Sequence, residues 1–289
     1  MSFPPQLPPR TAWEPLLRLA LAEDLGAGDV TSAIAIDATA RGVARIEARE
    51  ALRVCGLPLA RETFAAVDPA LRFEPAAADG DDVRAGATLA RVTGALRPIL
   101  AGERTALNFL GRMCGVASQA RRFVEAVRGT GAAIVDTRKT LPGWRALDKY
   151  AVAVGGGVNH RMGLFDGVLL KDNHVAAAGG VAAALKSALA AAPAHLRVQI
   201  EVESLDQARA AVEAGADFLL LDNRTPEELA EIAAELRGRA LLEASGGVTL
   251  ANVRAIAASG VQRISIGALT HSAPCADVAL ELEPGGDDT

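Results

Sequence analysis

From residue 133 onward the chain repeats one pattern: a short apolar run, then alanine and leucine at helical spacing, then another apolar run. The runs are Ala133-Ile134-Val135, Val168-Leu169-Leu170, Val198-Gln199-Ile200, Phe218-Leu219-Leu220-Leu221, Leu241-Leu242 and Ile264-Ser265-Ile266. The stretches 180–191, 205–214, 226–236 and 250–258 read as helices between them. Strands that are apolar along their whole length are buried on both faces. Alternating with helices, they make a parallel sheet covered by helices. Six such strands suggest an α/β barrel or a close relative; a full eight-stranded barrel would need more chain.

Before about residue 115 the organisation differs. Residues 13–25 carry Leu16, Leu17, Leu19 and Leu21 at helical spacing and stop at Gly26. Strand-like runs follow at 42–47 and 54–57. The segment 78–89 sets glycines at turn positions between strand-like pieces, as in the hairpin of a biotinyl or lipoyl carrier barrel. Such carriers present a lysine at the turn. The first 138 residues contain none, so the segment reads as scaffold. Residues 103–118 form a strong helix, with Leu107, Leu110, Met113, Cys114 and Ala117 recurring at three and four and Arg104 and Asn108 on one flank.

Composition narrows the function. The net charge is −5 and no basic tract stands out, which speaks against nucleic acid or an anionic membrane as a partner. No apolar stretch reaches the length of a membrane span. The opening MSFPPQLPPR lacks the apolar run of a signal peptide, and the tail EPGGDDT reads as a frayed end. Cys55, Cys114 and Cys275 have no metal-ligand spacing and read as reduced thiols of a cytoplasmic protein.

The ends of the apolar runs carry the chemistry. They lead into Asp136-Thr137-Arg138-Lys139, Lys171-Asp172-Asn173-His174, Glu201-Val202-Glu203-Ser204, Asp222-Asn223, Glu243-Ala244-Ser245-Gly246-Gly247 and Gly267. One charged strand end is usually a solvated edge. Six polar or glycine ends are different, because barrel geometry brings the carboxyl ends of parallel strands to one rim, where barrel enzymes keep their sites. Arg138, Lys139 and Lys171, with His160 and Arg161 on a loop, form a cationic group suited to carboxylate or phosphate oxygens. Glu201, Asp222, Glu203 and Glu243 suit Mg²⁺, sugar hydroxyls or a developing cation. Ser245-Gly246-Gly247 and Gly267 offer backbone amides to a phosphate. The site thus reads as one for a phosphorylated sugar and a small anionic partner. Ligation of a metal by His160 and His174 lacks a third ligand.

The run Asp136-Thr137-Arg138-Lys139-Thr140-Leu141-Pro142-Gly143-Trp144-Arg145, with Asp148 to Val152, Gly155-Gly156-Gly157, Asn159-His160-Arg161 and Lys171 to His174, resembles quinolinate phosphoribosyltransferase. The resemblance extends over nearly the whole chain, through Glu23-Asp24-Leu25-Gly26, Glu103-Arg104, Glu201-Val202-Glu203, Leu221-Asp222-Asn223 and the Glu243 to Gly247 run. It implies an N-terminal open α/β sandwich over 1–115, an incomplete α/β barrel over 116–269, and residues 270–289 packing back on the first domain. It implies phosphoribosyl transfer from 5-phosphoribosyl 1-pyrophosphate to quinolinate with decarboxylation, in a homodimer whose Arg104 enters the partner's barrel mouth.

The resemblance also implies site roles. Arg104, Arg138, His160, Arg161 and Lys171 would bind quinolinate. Lys139, Ser245, Gly246, Gly247 and Gly267 would hold the phosphates. Lys139, Lys171, Glu201 and Asp222 would act on the reacting groups, with Glu201 and Asp222 beside Mg²⁺ and no organic cofactor. Glu203, Glu243, Asn173 and His174 stay open between catalytic and structural roles, and Asp29 and Thr31 read as turn caps. Two other classes are a Schiff-base aldolase or decarboxylase with Lys171 as nucleophile, and a non-catalytic nucleotide-binding protein. A relative acting on another acid, such as nicotinate, is a third reading.

Overall fold

A computed structural model describes residues 5–283. Among them are β1 (Arg41–Ala48), β2 (Leu52–Arg53), β3 (Arg72–Pro75), β4 (Asp82–Val83), β5 (Thr88–Ala95), β6 (Ala133–Val135), β7 (Val168–Leu170), β8 (Val198–Val202), β9 (Phe218–Asp222), β10 (Leu241–Ser245), β11 (Arg263–Ser265) and β12 (Val278–Leu282). The chain divides into two compact units. One holds the chain up to Arg121, Leu141–Gly156 and the stretch from Ser272; the other holds Arg122–Thr140 and Gly157–His271. The first unit therefore takes in 141–156, which lies inside the 116–269 stretch read from sequence as barrel. The expectations for the leader and for the tail fall partly on residues 1–4 and 284–289, outside the described residues.

The first unit is built on an antiparallel sheet of order β12-β1-β5-β3. Strand β1 alternates, with Ala44, Ile46 and Ala48 fully buried, and the strand near the chain end, β12, pairs along it. Against these pack Phe64, Leu89, Val92, Leu107 and Leu110. The helix expected over 103–118 runs farther, as Leu96–Ala126. Its expected core face, Leu107, Leu110, Met113, Cys114 and Ala117, is buried as the spacing requires. Beyond Ser118 the polar run Gln119, Arg121 and Arg122 hides the periodicity, yet Ala120 and Phe123 are still buried.

The strand expected at 54–57 is instead a helix start. Leu57–Val67 is helical, because the Asp79 carboxylate accepts from the amides of Gly56 at 2.8 Å and Leu57 at 3.0 Å. Pro58 sits in the first turn, where no amide donor is needed. That cap comes from more than twenty residues away and leaves no local signature. Asp29 does cap: its carboxylate accepts from the Ser32 amide at 3.0 Å, at the start of the helix Val30–Ala35.

The second unit is a parallel sheet of order β6-β11-β10-β9-β8-β7. All six expected strands are present and hydrogen-bond in parallel. Side chains alternate across it. Ile200, Leu219, Leu221, Leu242, Ala244 and Ile264 are at most 2% exposed and share one face. Leu169, Gln199, Leu220, Glu243 and Ser265 point to the other. On that face the strands end in Lys171, Glu201, Asp222, Ser245 and Gly267, two residues farther on in each case. Register aligns these ends: Ser245 lies opposite both Asp222 and Ser265. Among the described residues no helix is long and apolar enough to cross a membrane.

In the first unit the helix Arg145–Val154 is tied down by a buried fork. Arg112 donates Nε and Nη2 to Asp148 Oδ1 at 3.1 and 2.9 Å, and Nη2 to Oδ2 at 3.0 Å. Burial still outweighs that partner and raises the Asp148 pKa. Arg112→Met is expected to lower unfolding free energy by about 3–5 kcal/mol, since it strands a buried carboxylate. A carboxyl with a raised folded-state pKa binds protons more tightly folded than unfolded, so stability falls as pH rises above about 4. The urea midpoint of the variant should therefore increase from pH 8 to pH 5.

Candidate active site

The inward-facing strand ends surround a cavity of about 620 Å³, within the range of small-molecule sites. Its lining brings together every barrel residue expected of the site: Arg138, Lys139, His160, Arg161, Lys171, Glu201, Asp222, Ser245, Gly246, Gly247 and Gly267. Glu243 lines it as well. Arg104 belongs to the first unit, on the helix Leu96–Ala126, with a side chain 62% exposed, and does not line this cavity.

The cationic side is set by two short segments. After β6, the Lys139 amide donates to Thr137 Oγ1 at 3.0 Å, and Thr270 Oγ1 donates to the Lys139 carbonyl at 2.7 Å. Those bonds fix the backbone from which Lys139 enters. Gly267 lets it pass: a Cβ there would stand 2.9 Å from Lys139 Cδ. On the 159–161 loop, the buried Asp136 accepts from Asn159 Nδ2 at 2.7 Å and from the His160 amide at 2.8 Å. Burial, then the charge of Arg138, lowers the Arg161 pKa, although Asp166 opposes this. A site that crowds two guanidiniums is relieved by an anion.

The acidic side answers it. Lys171 Nζ donates to Glu201 Oε2 at 2.9 Å, so the lysine and the carboxylate meet across β7 and β8. Asn223 donates Nδ2 to Asp222 Oδ2 at 2.6 Å. Glu243 is fully buried. Burial favours its neutral form, but His160, 3.4 Å from Oε1, and Arg263, 2.7 Å from Oε2, outweigh that and lower its pKa. His174 Nδ1 accepts from the Lys171 amide at 3.1 Å, and the Glu203 amide donates to Gln207 Oε1 at 2.7 Å; neither residue lines the cavity.

The phosphate-binding candidate is the turn after β10. Gly246 and Gly247 have φ of 91° and 60°, the left-handed backbone that points successive amides toward one point. A Cβ at Gly246 would lie 2.1 Å from Asn223 Oδ1. Sequence reasoning missed Thr249 and His271, which also line the cavity. His271 ends the short helix Ala268–His271, four residues past Gly267, which was the available signal.

Residues 29–114 match the model for the N-terminal domain of quinolinate phosphoribosyl transferase, and residues 116–281 match that for its C-terminal domain. The chain belongs to the quinolinate phosphoribosyltransferase family. It is 43% identical over 275 residues to nicotinate-nucleotide pyrophosphorylase (carboxylating) of Mycobacterium leprae, covering 92% of this chain and 95% of that one. It is 38% identical over 279 residues to the probable enzyme of that name from Synechocystis, covering 96% and 94%. The solved nicotinate-nucleotide pyrophosphorylase from Francisella tularensis superposes with a TM-score of 0.93 at 35% identity, covering 98% of this chain and 100% of that one.

Quinolinate phosphoribosyltransferases typically use Mg²⁺ together with the phosphoribosyl donor. Among the described residues no group of three or more histidines, cysteines or carboxylates is placed to hold a metal. Glu201 and Asp222, from neighbouring strands, fit the other way such an ion is held, by one or two carboxylates plus substrate phosphates.

For this quinolinate phosphoribosyltransferase, Gly246→Ala should raise the dissociation constant for ribose 5-phosphate at least about tenfold in titration calorimetry, because the new methyl meets Asn223 and the backbone leaves φ of 91°. Far-UV circular dichroism should not change.

Proposed function

We propose that the cavity of the second unit is where quinolinate meets 5-phosphoribosyl 1-pyrophosphate. The chain is a quinolinate phosphoribosyltransferase (decarboxylating), a pentosyltransferase of NAD biosynthesis. It joins the phosphoribosyl group to quinolinate and forms nicotinate mononucleotide, releasing pyrophosphate and carbon dioxide. The aldolase and the non-catalytic readings fall with that assignment. The observation that supports the site is the convergence of Arg138, Arg161, Lys139 and Lys171 with Glu201 and Asp222 around one cavity.

Quinolinate carries two adjacent carboxylates. Arg138 and Arg161 receive them, with Lys171 beside them, each charge-assisted bond contributing roughly 1.5–3 kcal/mol. His160 lines the same cavity. Arg104 of the partner subunit completes the pocket in a homodimer. At the other end, the amides of Ser245, Gly246, Gly247 and Gly267 hold the 5′-phosphate.

Departure of pyrophosphate leaves positive charge on the sugar. Glu201 and Asp222 stabilise that charge, and Lys139 and Lys171 stabilise the leaving anion. Glu201 and Asp222 would hold Mg²⁺, whose contribution when bound is to neutralise the phosphate oxygens. The ring nitrogen attacks the anomeric carbon and becomes quaternary. The adjacent carboxylate then leaves as carbon dioxide, and its electron pair stays at the ring carbon as an ylide before protonation. For that last stage the protein orients the ring and excludes water. Leu169 and Leu220 on the inward face supply an apolar surface for the ring.

Purified protein with quinolinate, 5-phosphoribosyl 1-pyrophosphate and Mg²⁺ should release pyrophosphate, and nicotinate in place of quinolinate should not support it. Arg138→Ala should lower kcat/KM for quinolinate by well over about tenfold; a near-normal value removes Arg138 from the pocket. Mixing Arg104→Ala with Lys171→Ala subunits should restore activity, because one mouth of each mixed dimer keeps both side chains. Absence of complementation would argue against sharing between subunits.

A further inference from the structure

Glu243 sits in the middle of β10, fully buried, and the mechanism above gives it no contact with substrate. Its surroundings indicate what it does. Arg263 Nε donates to Oε2 at 2.7 Å. Among the described residues Oε1 makes no hydrogen bond of good geometry, and His160 Nε2 stands 3.4 Å from it. Gln199 Oε1 lies 3.0 Å from the same nitrogen. The other ring nitrogen, Nδ1, accepts from the Arg161 amide at 2.7 Å.

These contacts select one tautomer. An Nδ1 that accepts an amide proton carries none of its own, so the ring proton is on Nε2. Nε2–H then meets Gln199 Oε1, with the Glu243 carboxylate beside it at 3.4 Å. The opposite tautomer would set an N–H against the Arg161 N–H and a bare Nε2 against two acceptors. Gln199 keeps its oxygen toward the ring although its Nε2 is thereby buried without a partner among the described residues. Reversing the amide would bring N–H against N–H.

The selected tautomer has a consequence one residue away. The Arg161 backbone is held by the His160 ring, while Asp136 holds the His160 amide and the Asn159 side chain from the other direction. Arg161 Nη1 donates to the Gly167 carbonyl at 2.9 Å, which leaves its remaining donors for the cavity.

We propose that Glu243 is a positioning residue for quinolinate: with Gln199 it fixes the Nε2–H form of His160, and that ring fixes the backbone from which Arg161 reaches the substrate carboxylate. The proposal rests on the reading of Arg161 as a quinolinate ligand, and the experiment separates the two.

The test is steady-state kinetics on the full-length chain, with Glu243→Gln, Arg161→Ala and the double variant. Glu243→Gln, which keeps shape and an acceptor for Arg263, should raise KM for quinolinate roughly tenfold and leave KM for 5-phosphoribosyl 1-pyrophosphate within about twofold. In the Arg161→Ala background the same change should add less than about twofold, since the two residues act through one contact. A normal quinolinate KM in Glu243→Gln overturns the proposal, as does an equal loss for both substrates or effects that multiply in the double variant. If Arg161→Ala itself leaves quinolinate KM unchanged, the reading of Arg161 falls and takes the proposal with it. Should Glu243→Gln fail to fold, Gln199→Leu removes the other acceptor of the same proton. It should show the same split between substrates, and a wild-type profile there overturns the proposal.

Discussion

Four cations gathered around one cavity repel one another, and the hydrogen bonds of the parallel sheet are what keep them together. Lys171 follows β7, an edge strand of that sheet, and Lys139 follows β6, which pairs with β11 and makes a single parallel bridge, Val135 to Val158, on its other side. Short polar braces add to this pairing. The Lys139 backbone is gripped by Thr137 and Thr270, the Lys171 amide by His174, and the Arg161 loop by Asp136. They hold the backbone where Arg138 and Arg161 are crowded together, a crowding that adds to burial in lowering the Arg161 pKa.

The period of two along each strand turns a sequence pattern into a chemical surface. Residues 169 and 171, 199 and 201, 220 and 222, 243 and 245, and 265 and 267 all point inward. The lower member of each pair forms the floor and the upper member stands at the rim. A floor side chain can therefore reach a rim residue, as Gln199 and Glu243 reach His160. Burying a carboxylate there is costly unless it is partnered, and Arg263 on the next strand is that partner.

Much of this was legible in the chain. The six apolar runs, their parallel arrangement and the polar residues at their ends follow from periodicity alone. The convergence of those ends follows from the way parallel strands align. What was not legible depends on partners far away in sequence. The helix at Leu57–Val67 starts where it does because Asp79 caps it. The bounds of Leu96–Ala126 were hidden because its polar face interrupts the apolar spacing. The part played by Glu243 stayed open, since a glutamate inside an apolar strand looks the same whether it faces water, a metal or an imidazole. Thr249 lies beyond the end of its strand, where no local pattern distinguishes it from an ordinary loop residue, and His271 lies one helical turn past Gly267, a spacing that carries meaning only once Gly267 is placed at the rim.

The Lys171–Glu201 pair has a consequence for what the cavity will accept. An anion that seeks the ammonium must compete with a carboxylate already in place. A singly charged ion such as chloride exchanges one contact for another and gains little. A molecule bearing charge at two separated points can satisfy the guanidiniums as it displaces Glu201, and it comes out ahead. A lysine that already holds a carboxylate thus favours a ligand bringing charge at two points over a single small ion.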